Sequence, residues 1–306
     1  RDVERSRGLG DVYKRQNIGD TEQIKKLLKK YLPDLIINFA AETHVDKSID
    51  NPGIFFQTNV QETLCLISVV KDYFNEIDKE FLFHHISTDE VYGDIPLDSK
   101  PSNEKTPYNP SSPYSASKAS SDHIMRAFYR TFKLPITISN CSNNFGPFQF
   151  PEKLIPHMII KIKQSQKLPI YGDGCQIRDW LSVYDHIDGI MKIIYEGKIG
   201  ATYNIGGASS EVQNIQIVRK ICDLMDDFGI KHPDNIKSTD LIEFVHDRPG
   251  HDKRYAIDSS RIKNELNWTA KIDINQGLKD TVRSVSYTHL RAHETSLHLV
   301  CRLLLE

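Results

Sequence analysis

The sequence has no long apolar run, no block of like charges and no secretory signal at its charged N-terminus, "RDVERSRGLG". No apolar run approaches the roughly 20 residues of a membrane-spanning helix. The 39 Lys and Arg residues nearly balance the 41 Asp and Glu residues, and the formal net charge is −2. We therefore expect a soluble cytoplasmic protein with no affinity for membranes or nucleic acid.

Cysteine pairs are missing as well. The five cysteines are widely separated, odd in number and free of any C-x-x-C spacing, so buried free thiols are expected rather than disulfides or a zinc site. Near the C-terminus, His289 and His293 have the spacing of a metal pair on a helix. No carboxylate or third ligand follows with suitable geometry, and no metal site is predicted. The cysteines are Cys65, Cys141, Cys175, Cys222 and Cys301.

The sequence also lacks a Gly-rich phosphate-binding turn. Parallel sheets that bind nucleotides open with a strand, a Gly-rich turn and a helix. Only "GLGDVY", Gly8 to Tyr13, offers G-x-G. Tyr13 stands where the third glycine belongs, and "RDVERSR" before it is not an apolar strand. We interpret this segment as a decoy and expect the chain to begin after the first one or two β-α units of its fold.

Apolar residues alternate between helical spacing and short buried runs. Helical spacing marks "TEQIKKLLKKYL", "NVQETLCLISVVKDYF" and "YSASKASSDHIMRAFYRTF", and buried strands are predicted at "DLIINFAA", "FLFHHI" and "LPITIS". This alternation is typical of an α/β fold with a parallel sheet covered on both faces. The segment "YNIGG", from Tyr203 to Gly207, is predicted to return to the same sheet.

Composition divides the chain into four parts. Residues 17–150 carry the alternating pattern, with a return near 175–205. A smaller region with prolines, glycines and shorter elements follows over 151–285. Residues 1–16 and 286–306 do not fit the pattern and resemble translated sequencing-adapter sequence, so both ends are expected to be non-native.

Tyr114 and Lys118 in "YSASK" lie four residues apart on a predicted helix and therefore share a face. An ammonium near a phenol favours the phenolate and lowers the phenol pKa, which would make Tyr114 a base for an alcohol proton. The Y-x-x-x-K pattern alone is common by chance. Here it opens a helix behind "NPSSP", whose serines can cap it.

Ser87, Thr88, Asp89 and Glu90 are predicted just past a buried strand, at the carboxyl edge where open α/β sheets bind ligands. Adjacent carboxylates repel each other and are costly to bury unpaired. An ordinary turn would tolerate them, and so would a reaction that needs an acid and a base with different pKa values. Both carboxylates can serve one site only if the backbone turns after the strand.

Rigid loops supply further polar side chains among prolines and glycines. Arg and Lys at such places suit a diphosphate, although each one singly matches a solvated surface charge better. The loops "NCSNNFGPFQFPEKLIP", "YGDGCQIRDW" and "DRPGHDKRYAID" contribute Asn143, Asn144, Lys153, Arg178 and Arg248.

Eight motifs occur in one order between Asn17 and about Val285: "AAETHVDKSI", "HISTDEVYGD", "SPYSASKASSDH", "NCSNNFGPFQFPEKLIP", "LPIYGDG", "IRDWL", "YNIGG" and "DRPGHDKRYAID". By these motifs the chain resembles the dTDP-glucose 4,6-dehydratase family of the extended short-chain dehydrogenase/reductase superfamily. The resemblance implies a Rossmann-like doubly wound sheet with NAD bound by residues 17–150. It also implies a nucleotide-sugar site mainly in 151–285 and a homodimer formed through the helices near Thr58 and Tyr114.

The resemblance further implies a lyase mechanism in which NAD is regenerated. Tyr114, assisted by Lys118, would take the sugar O4 proton while NAD accepts hydride from C4, and Thr88 would hold O4. Glu90 would remove the C5 proton, Asp89 would protonate the departing 6-hydroxyl, and hydride would return to C6. The product from dTDP-glucose would be the 4-keto-6-deoxy sugar.

The same resemblance implies two sets of binding residues. The cofactor would be held by Asn17, Ile18, Phe39, Ala40, Ala41, Glu42, Thr43, Thr58, Tyr114, Lys118 and Asn144. The nucleotide sugar would be held by Glu42, Thr88, Asn143, Lys153, Leu154, Pro169, Ile170, Tyr171, Arg178, Asn214, Asp247, Arg248, Pro249, Gly250 and His251.

Two departures from the family pattern concern the cofactor. The Gly-rich loop and the acidic residue that binds the adenosine ribose are missing, and Asn17-Ile18 stands where the family has Asp-Ile. We therefore expect the 306-residue chain to bind NAD weakly and to turn over slowly. Two alternatives stay open. One is a nucleotide-sugar epimerase or decarboxylase of the same superfamily, which usually lacks the Thr88-Asp89-Glu90 run, and the other is a non-catalytic remnant.

Overall fold

Residues 17–208 and 211–286 are described by a computed structural model, together with two short strands, Glu4–Arg5 and Val12–Tyr13, which pair antiparallel with each other. The decoy at Gly8 to Tyr13 and the predicted non-native segment 1–16 otherwise lie outside the described residues. So do residues 287–306, which include the predicted histidine pair and the last cysteine. No helix in the described ranges is long and apolar enough to cross a membrane.

Helices and strands alternate along the described chain. The strands are β1 (Glu4–Arg5), β2 (Val12–Tyr13), β3 (Leu35–Asn38), β4 (Leu82–Thr88), β5 (Ile136–Cys141), β6 (Asn143–Phe145), β7 (Leu168–Tyr171), β8 (Ile177–Ser182), β9 (Thr202–Ile205), β10 (Glu211–Gln213) and β11 (Ile242–Val245). The helices are α1 (Thr21–Tyr31), α2 (Val45–Asp50), α3 (Pro52–Phe56), α4 (Thr63–Glu76), α5 (Pro113–Phe132), α6 (Leu154–Lys163), α7 (Val183–Glu196), α8 (Asn214–Asp227), α9 (Ser260–Leu266) and α10 (Ile274–Ser284). A π-helical segment covers Gln57–Glu62, and short 3-10 helices cover Asp89–Tyr92, Pro233–Asn235 and Ser238–Leu241.

Four parallel strands, in the order β3-β4-β5-β9, form the central sheet. Helices α1, α4 and α5 pack on one face around Ile67, Phe83 and Ile136. Helices α7 and α9 cover the other face around Ile193 and Tyr203. The predicted parallel α/β sheet with two covered faces is confirmed, and the chain returns to it through β9 as predicted.

Two smaller sheets lie beyond the central one. Strand β8 pairs in parallel with β6 and antiparallel with β10, whereas β7 pairs in parallel with β11. Helices α6, α8 and α10 enclose a second apolar core around Phe145, Ile159 and Ile221. This core is built mainly from residues after 150, and a domain division at that point stays a prediction.

Strand β4 ends later than the run "FLFHHI" predicts. Its pairing with β5 continues through Ser87–Asn140 and Thr88–Cys141. The prediction that Ser87 and Thr88 lie past the strand is therefore wrong, because polar side chains of a strand can be buried when they find partners. Ser87 Oγ donates a hydrogen bond to Asp122 Oδ2 at 2.9 Å. The turn starts at the residue after Thr88.

Helix α5 starts with the serine cap that its sequence predicts. Ser112 Oγ accepts the backbone N–H of Ser115 at 3.1 Å, and Ser115 Oγ accepts the backbone N–H of Ser112 at 3.0 Å. Pro113 occupies the first turn of the helix, where its missing N–H has no partner to lose. The cap fixes the start of the helix that carries Tyr114 and Lys118.

Gly200 and Gly229 have nearly the same left-handed backbone, with φ of 81° and 79°, in different surroundings. A Cβ atom on Gly200 would lie 2.2 Å from ring atoms of Tyr129, whereas one on Gly229 would have no neighbour within 4 Å. We expect Gly229→Ala to cost about 1 kcal/mol of backbone strain and Gly200→Ala to cost about 1–3 kcal/mol more through overpacking. Chemical denaturation measures both losses, and equal losses would contradict the close contact.

Candidate active site

The carboxyl edge of the central sheet gathers the ends of β3, β4 and β5 and the start of α5. Because the strands are parallel, the residues that follow them meet at this edge. Strand β3 leads into Phe39–Thr43, β4 into Asp89–Tyr92 and β5 into Asn143. Helix α5 starts at the same edge because it runs back along the sheet before it enters β5.

Thr88 fixes the turn that follows β4. Its hydroxyl accepts the backbone N–H of Glu90 at 3.3 Å and donates to Asp89 Oδ1 at 3.3 Å, so it caps the 3-10 helix. Asp89 is only 2% exposed, and its Oδ2 atom has no hydrogen-bond partner among the described residues. Glu90 lines the adjacent cavity. The turn brings both carboxylates to one site, which a continuing strand would not do.

Asp89 and Glu90 have different electrostatic surroundings. Burial raises the pKa of Asp89 well above its usual value, and the charges of Glu90 and Asp179 raise it further. Burial also raises the pKa of Glu90, but the guanidinium groups of Arg178 and Arg248 oppose this rise. One carboxyl group can therefore be protonated while its neighbour is ionised.

Tyr114 and Lys118 are both buried on one face of α5. Lys118 Nζ donates to the backbone oxygen of Ile86 at 2.7 Å. Burial and the charge of Glu90 raise the pKa of Tyr114 well above its usual value, and a hydrogen bond with Thr88 lowers it. The expected lowering of the Tyr114 pKa is wrong, because burial is the largest influence on it and raises it.

Asn59 is a polar residue near the site that sequence reasoning missed. It is buried in the π-helical segment, and its Oδ1 accepts the Glu42 N–H at 2.8 Å while its Nδ2 donates to the Glu42 backbone oxygen at 2.9 Å. The same Nδ2 donates to Ser117 Oγ of α5 at 2.9 Å. These bonds hold the loop after β3 against the helix of Tyr114. Sequence reasoning predicted only its neighbour, Thr58, and a polar side chain inside an apolar helical stripe was the available signal.

A cavity of about 450 Å³ opens beside Glu90, which is within the usual size of small-molecule sites. Five of the predicted substrate residues do not line it, namely Glu42, Thr88, Asp247, Pro249 and Gly250. The others lie in its wall, namely Asn143, Lys153, Leu154, Pro169, Ile170, Tyr171, Arg178, Asn214, Arg248 and His251.

Three cations, Lys153, Arg178 and Arg248, lie in the cavity wall together with the carboxylates Asp46, Glu90 and Glu152. Arg248 Nη1 donates to Asp46 Oδ1 at 3.0 Å, whereas its Nε is buried with no hydrogen-bond partner among the described residues. Lys153 Nζ donates to the Thr43 backbone oxygen at 2.9 Å, which ties the loop after β3 to the start of α6. Arg178 is 4% exposed and is held by backbone oxygens. This wall suits a ligand that carries phosphate groups.

Asp46 and Gln176 are wall residues that sequence reasoning missed. The Tyr171 hydroxyl donates to Asp46 Oδ2 at 3.3 Å, and Gln176 Nε2 donates to Asp247 Oδ2 at 3.2 Å. Asp247 Oδ1 lies 2.6 Å from His251 Nδ1, so Asp247 orients two wall residues from behind the wall. Asp46 stands inside the motif "AAETHVDKSI" and Gln176 inside the loop "YGDGCQIRDW", but nothing in the local pattern distinguished them.

Five of the predicted cofactor residues, 39–43, directly follow β3. Phe39 is 59% exposed and Ala40 is exposed, as expected of residues that face a ligand, and Asn144 Oδ1 is buried with no partner among the described residues. Asn17 and Ile18 precede α1, which starts near the same edge because it runs back along the sheet into β3. The described part of the chain has no strand followed by a Gly-rich turn for the pyrophosphate.

A parallel α/β sheet with a buried Tyr114–Lys118 pair at its carboxyl edge defines the protein as an extended short-chain dehydrogenase/reductase. The family described as GDP-mannose 4,6 dehydratase matches residues 11–281. A dTDP-glucose 4,6-dehydratase from Xanthomonas campestris pv. campestris is 49% identical over 275 residues, which cover 89% of this chain and 78% of that one.

Solved structures give the same result. The dTDP-glucose 4,6-dehydratase from Streptomyces venezuelae, with NAD bound, has a TM-score of 0.81 and 37% identity, and the match covers 90% of this chain and 80% of that one. The enzyme of the same name from Bacillus anthracis, in complex with NAD, has a TM-score of 0.77 and 39% identity with the same coverage. The chain belongs to the dTDP-glucose 4,6-dehydratase family, as its motifs predict.

The burial of Asp89 has a consequence for stability. Because its pKa is raised in the folded state, the unfolded chain ionises first as the pH rises above about 4, and the free energy of unfolding falls from there toward the folded-state pKa. Asp89→Asn keeps the shape and removes this ionisation. We expect the variant to be more stable at pH 7 by about 0.5–2 kcal/mol, with the gain shrinking as the pH is lowered to about 4.

Urea denaturation at both pH values measures this gain. The exposed Asp50, at the end of α2, provides a matched control, and Asp50→Asn should change stability at neither pH. A loss of stability in Asp89→Asn at pH 7 would contradict the reading of Asp89 as a destabilising buried acid.

Proposed function

We propose that this chain dehydrates dTDP-glucose to dTDP-4-keto-6-deoxyglucose, as a hydro-lyase that uses and regenerates NAD. The observation that carries the proposal is the Asp89–Glu90 turn beside Tyr114 and Lys118. Epimerases and decarboxylases of the same superfamily need a tyrosine and a lysine for oxidation, but they do not need an acid and a base for loss of water. Relatives named dTDP-glucose 4,6-dehydratase, at 45% to 49% identity, support the same reaction.

NAD would be held at the carboxyl edge of the sheet by residues 39–43, Thr58 and Asn144, with Asn17 and Ile18 before α1. When bound, it would supply the hydride acceptor for C4 of the sugar and the hydride donor for C6. The relatives solved with NAD support this cofactor. The exposed face of Phe39 and the unpaired amide oxygen of Asn144 support these positions.

Tyr114 first releases its own proton, and the resulting phenolate accepts the O4 proton of the sugar in the first step. Thr88 holds O4 near Tyr114, and Lys118 stabilises the phenolate before it accepts that proton. Because burial and Glu90 both raise the pKa of Tyr114, the ammonium is essential for this step. Without it, the phenolate would be an unpaired anion in a buried place.

Glu90 and Asp89 carry out the loss of water in the second step. Oxidation at C4 acidifies the C5 proton, which Glu90 removes; the charges of Arg178 and Arg248 favour its ionised form. Asp89 remains protonated because it is buried and lies beside other carboxylates, and it protonates the departing 6-hydroxyl. Adjacent carboxyl groups act as base and acid because one turn gives them different surroundings.

The cavity holds the nucleotide diphosphate of the substrate. Arg248 offers the unpaired Nε donor to a phosphate oxygen, and Lys153 adds a second positive charge. Asn143 and Asn214 each present a buried amide oxygen without a partner among the described residues, which can accept hydrogen bonds from the sugar or the base. The remaining wall residues of the substrate set are Leu154, Pro169, Ile170, Tyr171, Arg178 and His251, and Glu42, Asp247, Pro249 and Gly250 support them from outside the wall.

The proposal includes a homodimer in the cytoplasm, with NAD bound mainly by residues 17–150 and the nucleotide sugar mainly by 151–285. The dimer is supported by large apolar side chains exposed near Thr58 and on α5, namely Ile54, Phe56 and Phe132. The cytoplasm is supported by free thiols at Cys65, Cys141, Cys175 and Cys222.

The mass of the product tests the reaction directly. Incubation with dTDP-glucose and NAD should yield a sugar lighter by one water in mass spectrometry. Because the described residues include no strand followed by a Gly-rich turn, the assay compares the 306-residue chain with a version in which the corresponding N-terminal segment of the Xanthomonas campestris relative replaces residues 1–16. We expect turnover mainly from the second protein. A product sugar of unchanged mass, which would be an epimer, would contradict the proposed dehydration.

Three substitutions separate the two steps. Tyr114→Phe should block the first hydride transfer, whereas Asp89→Asn and Glu90→Gln should leave it largely intact and slow the loss of water by about 10²–10⁴. Absorbance of the reduced nicotinamide in a single turnover reports the first step, and product mass reports the second. Equal loss of the absorbance signal in all three variants would contradict this division of roles.

A further inference from the structure

Asp122 is a fully buried carboxylate on α5 that the proposed mechanism does not use. It follows Lys118 by one helical turn, so the two side chains share a face. Its Oδ2 accepts hydrogen bonds from Ser87 Oγ at 2.9 Å and from the Tyr108 hydroxyl at 2.8 Å. Its Oδ1 lies 3.5 Å from Nε2 of His85, which is also buried.

Hydrogen bonds around His85 assign its proton. The Asn38 amide oxygen accepts a backbone N–H, so its Nδ2 donates to His85 Nδ1 at 3.3 Å. The Ser121 hydroxyl donates to the Lys118 backbone oxygen, so it accepts from His85 Nε2 at 3.2 Å. The imidazole is therefore neutral, with its proton on Nε2 donated to Ser121 Oγ. Burial lowers the pKa of His85 well below its usual value, in agreement with this assignment.

The donors around Asp122 reach Oδ2, whereas Oδ1 has no hydrogen-bond partner among the described residues. Arg126 Nη2 donates to the Tyr108 oxygen at 2.5 Å, which leaves the Tyr108 proton for Asp122 Oδ2. Hydrogen bonds donated to a carboxyl group favour its ionised form. Burial raises the pKa of Asp122, but the charges of Lys118 and Arg126 oppose the rise, as do hydrogen bonds from Tyr108 and Ser87.

Lys118 is also buried, and burial disfavours its charged form. Burial lowers its pKa, and Asp122 is the strongest influence that raises it again. The Cys141 thiol has its own pKa raised by burial to about 12, so it carries no charge at neutral pH. Asp122 is therefore the anion that favours the ammonium of Lys118. The titratable or charged groups that face this pair are Arg126 of α5, His85 of β4, Cys141 of β5, Tyr92 of the turn after β4 and Tyr108 of the loop before α5.

We propose that Asp122 is a positioning residue of the site, whose buried negative charge keeps the Lys118 side chain as the ammonium that stabilises the Tyr114 phenolate. The catalytic consequence rests on the proposed function, whereas the charge state of Lys118 is measurable without substrate or cofactor. When Asp122 is neutralised, its charge no longer opposes the lowering of the Lys118 pKa by burial. The ammonium then releases its proton at a lower pH, and Tyr114 loses its counter-charge.

The direct test is a titration of Lys118 by NMR in the full chain, with ¹³C at the lysine ε carbons and Lys118→Ala to assign the signal. Asp122→Asn keeps the shape and an oxygen that accepts from Ser87 and Tyr108. We expect the proton affinity of Lys118 to fall about tenfold or more in this variant. An unchanged titration midpoint would overturn the proposal.

Asp185 provides the matched control. It is a buried carboxylate on α7 whose Oδ2 accepts the backbone N–H groups of Lys271 and Ile272 at 3.0 and 2.8 Å. Asp185→Asn should weaken folding and leave the Lys118 midpoint unchanged. A shift as large as that of Asp122→Asn would show that loss of stability alone moves the midpoint, and it would equally overturn the proposal.

A double-mutant cycle tests the catalytic consequence. We expect Asp122→Asn to slow the first hydride transfer about tenfold or more when Lys118 is present, and to change it little in the Lys118→Ala background. Equal factors in both backgrounds would show that Asp122 does not act through Lys118. This cycle uses the version with the replaced N-terminus; if that version converts no substrate, the proposed function fails, while the titration still decides the role of Asp122.

Discussion

The Thr88 hydroxyl accepts the N–H of Glu90 and donates to Asp89, and these two hydrogen bonds turn the chain where β4 would otherwise continue. In a continuing strand the two carboxylates would point to opposite faces of the sheet. In the turn, the Asp89 side chain is buried near Tyr114, whereas Glu90 lines the same cavity as Arg178. The chemistry of the site depends on this change of backbone direction, because it gives neighbouring carboxyl groups unlike surroundings.

The site carries several buried ionisable groups, each of which lowers stability unless it is compensated. Compensation comes from the scaffold: the sheet supplies the Ile86 carbonyl to Lys118, and its strand β4 supplies Ser87 to Asp122. Compensation is incomplete for Asp89 and Asp122, because one oxygen of each has no partner among the described residues. A buried acid with an unpaired oxygen is unfavourable for folding but suited to donating a proton, a trade-off that active sites commonly show.

The sequence predicts the sheet and its helices because apolar periodicity and capping are local features. Local features do not predict the end of β4, because Ser87 and Thr88 are polar. Only their pairing across the sheet shows that they belong to the strand. Local features also do not predict the roles of Asn59 and Asp46. Asn59 contacts the loop 17 positions before it, and Asp46 pairs with a residue 202 positions away. Motif resemblance supplied most of the cavity wall, whereas the raised pKa of Tyr114 depends on burial, which no motif reports.

Exchange at C5 of the sugar in D₂O tests the separate roles of Asp89 and Glu90 most directly. In Asp89→Asn, the base still acts after oxidation at C4 but the acid is missing, so recovered dTDP-glucose should carry deuterium at C5. In Glu90→Gln the base is missing, and recovered substrate should carry none. Deuterium at C5 in both variants, or in Glu90→Gln alone, would contradict the assignment of acid and base to the turn that Thr88 fixes.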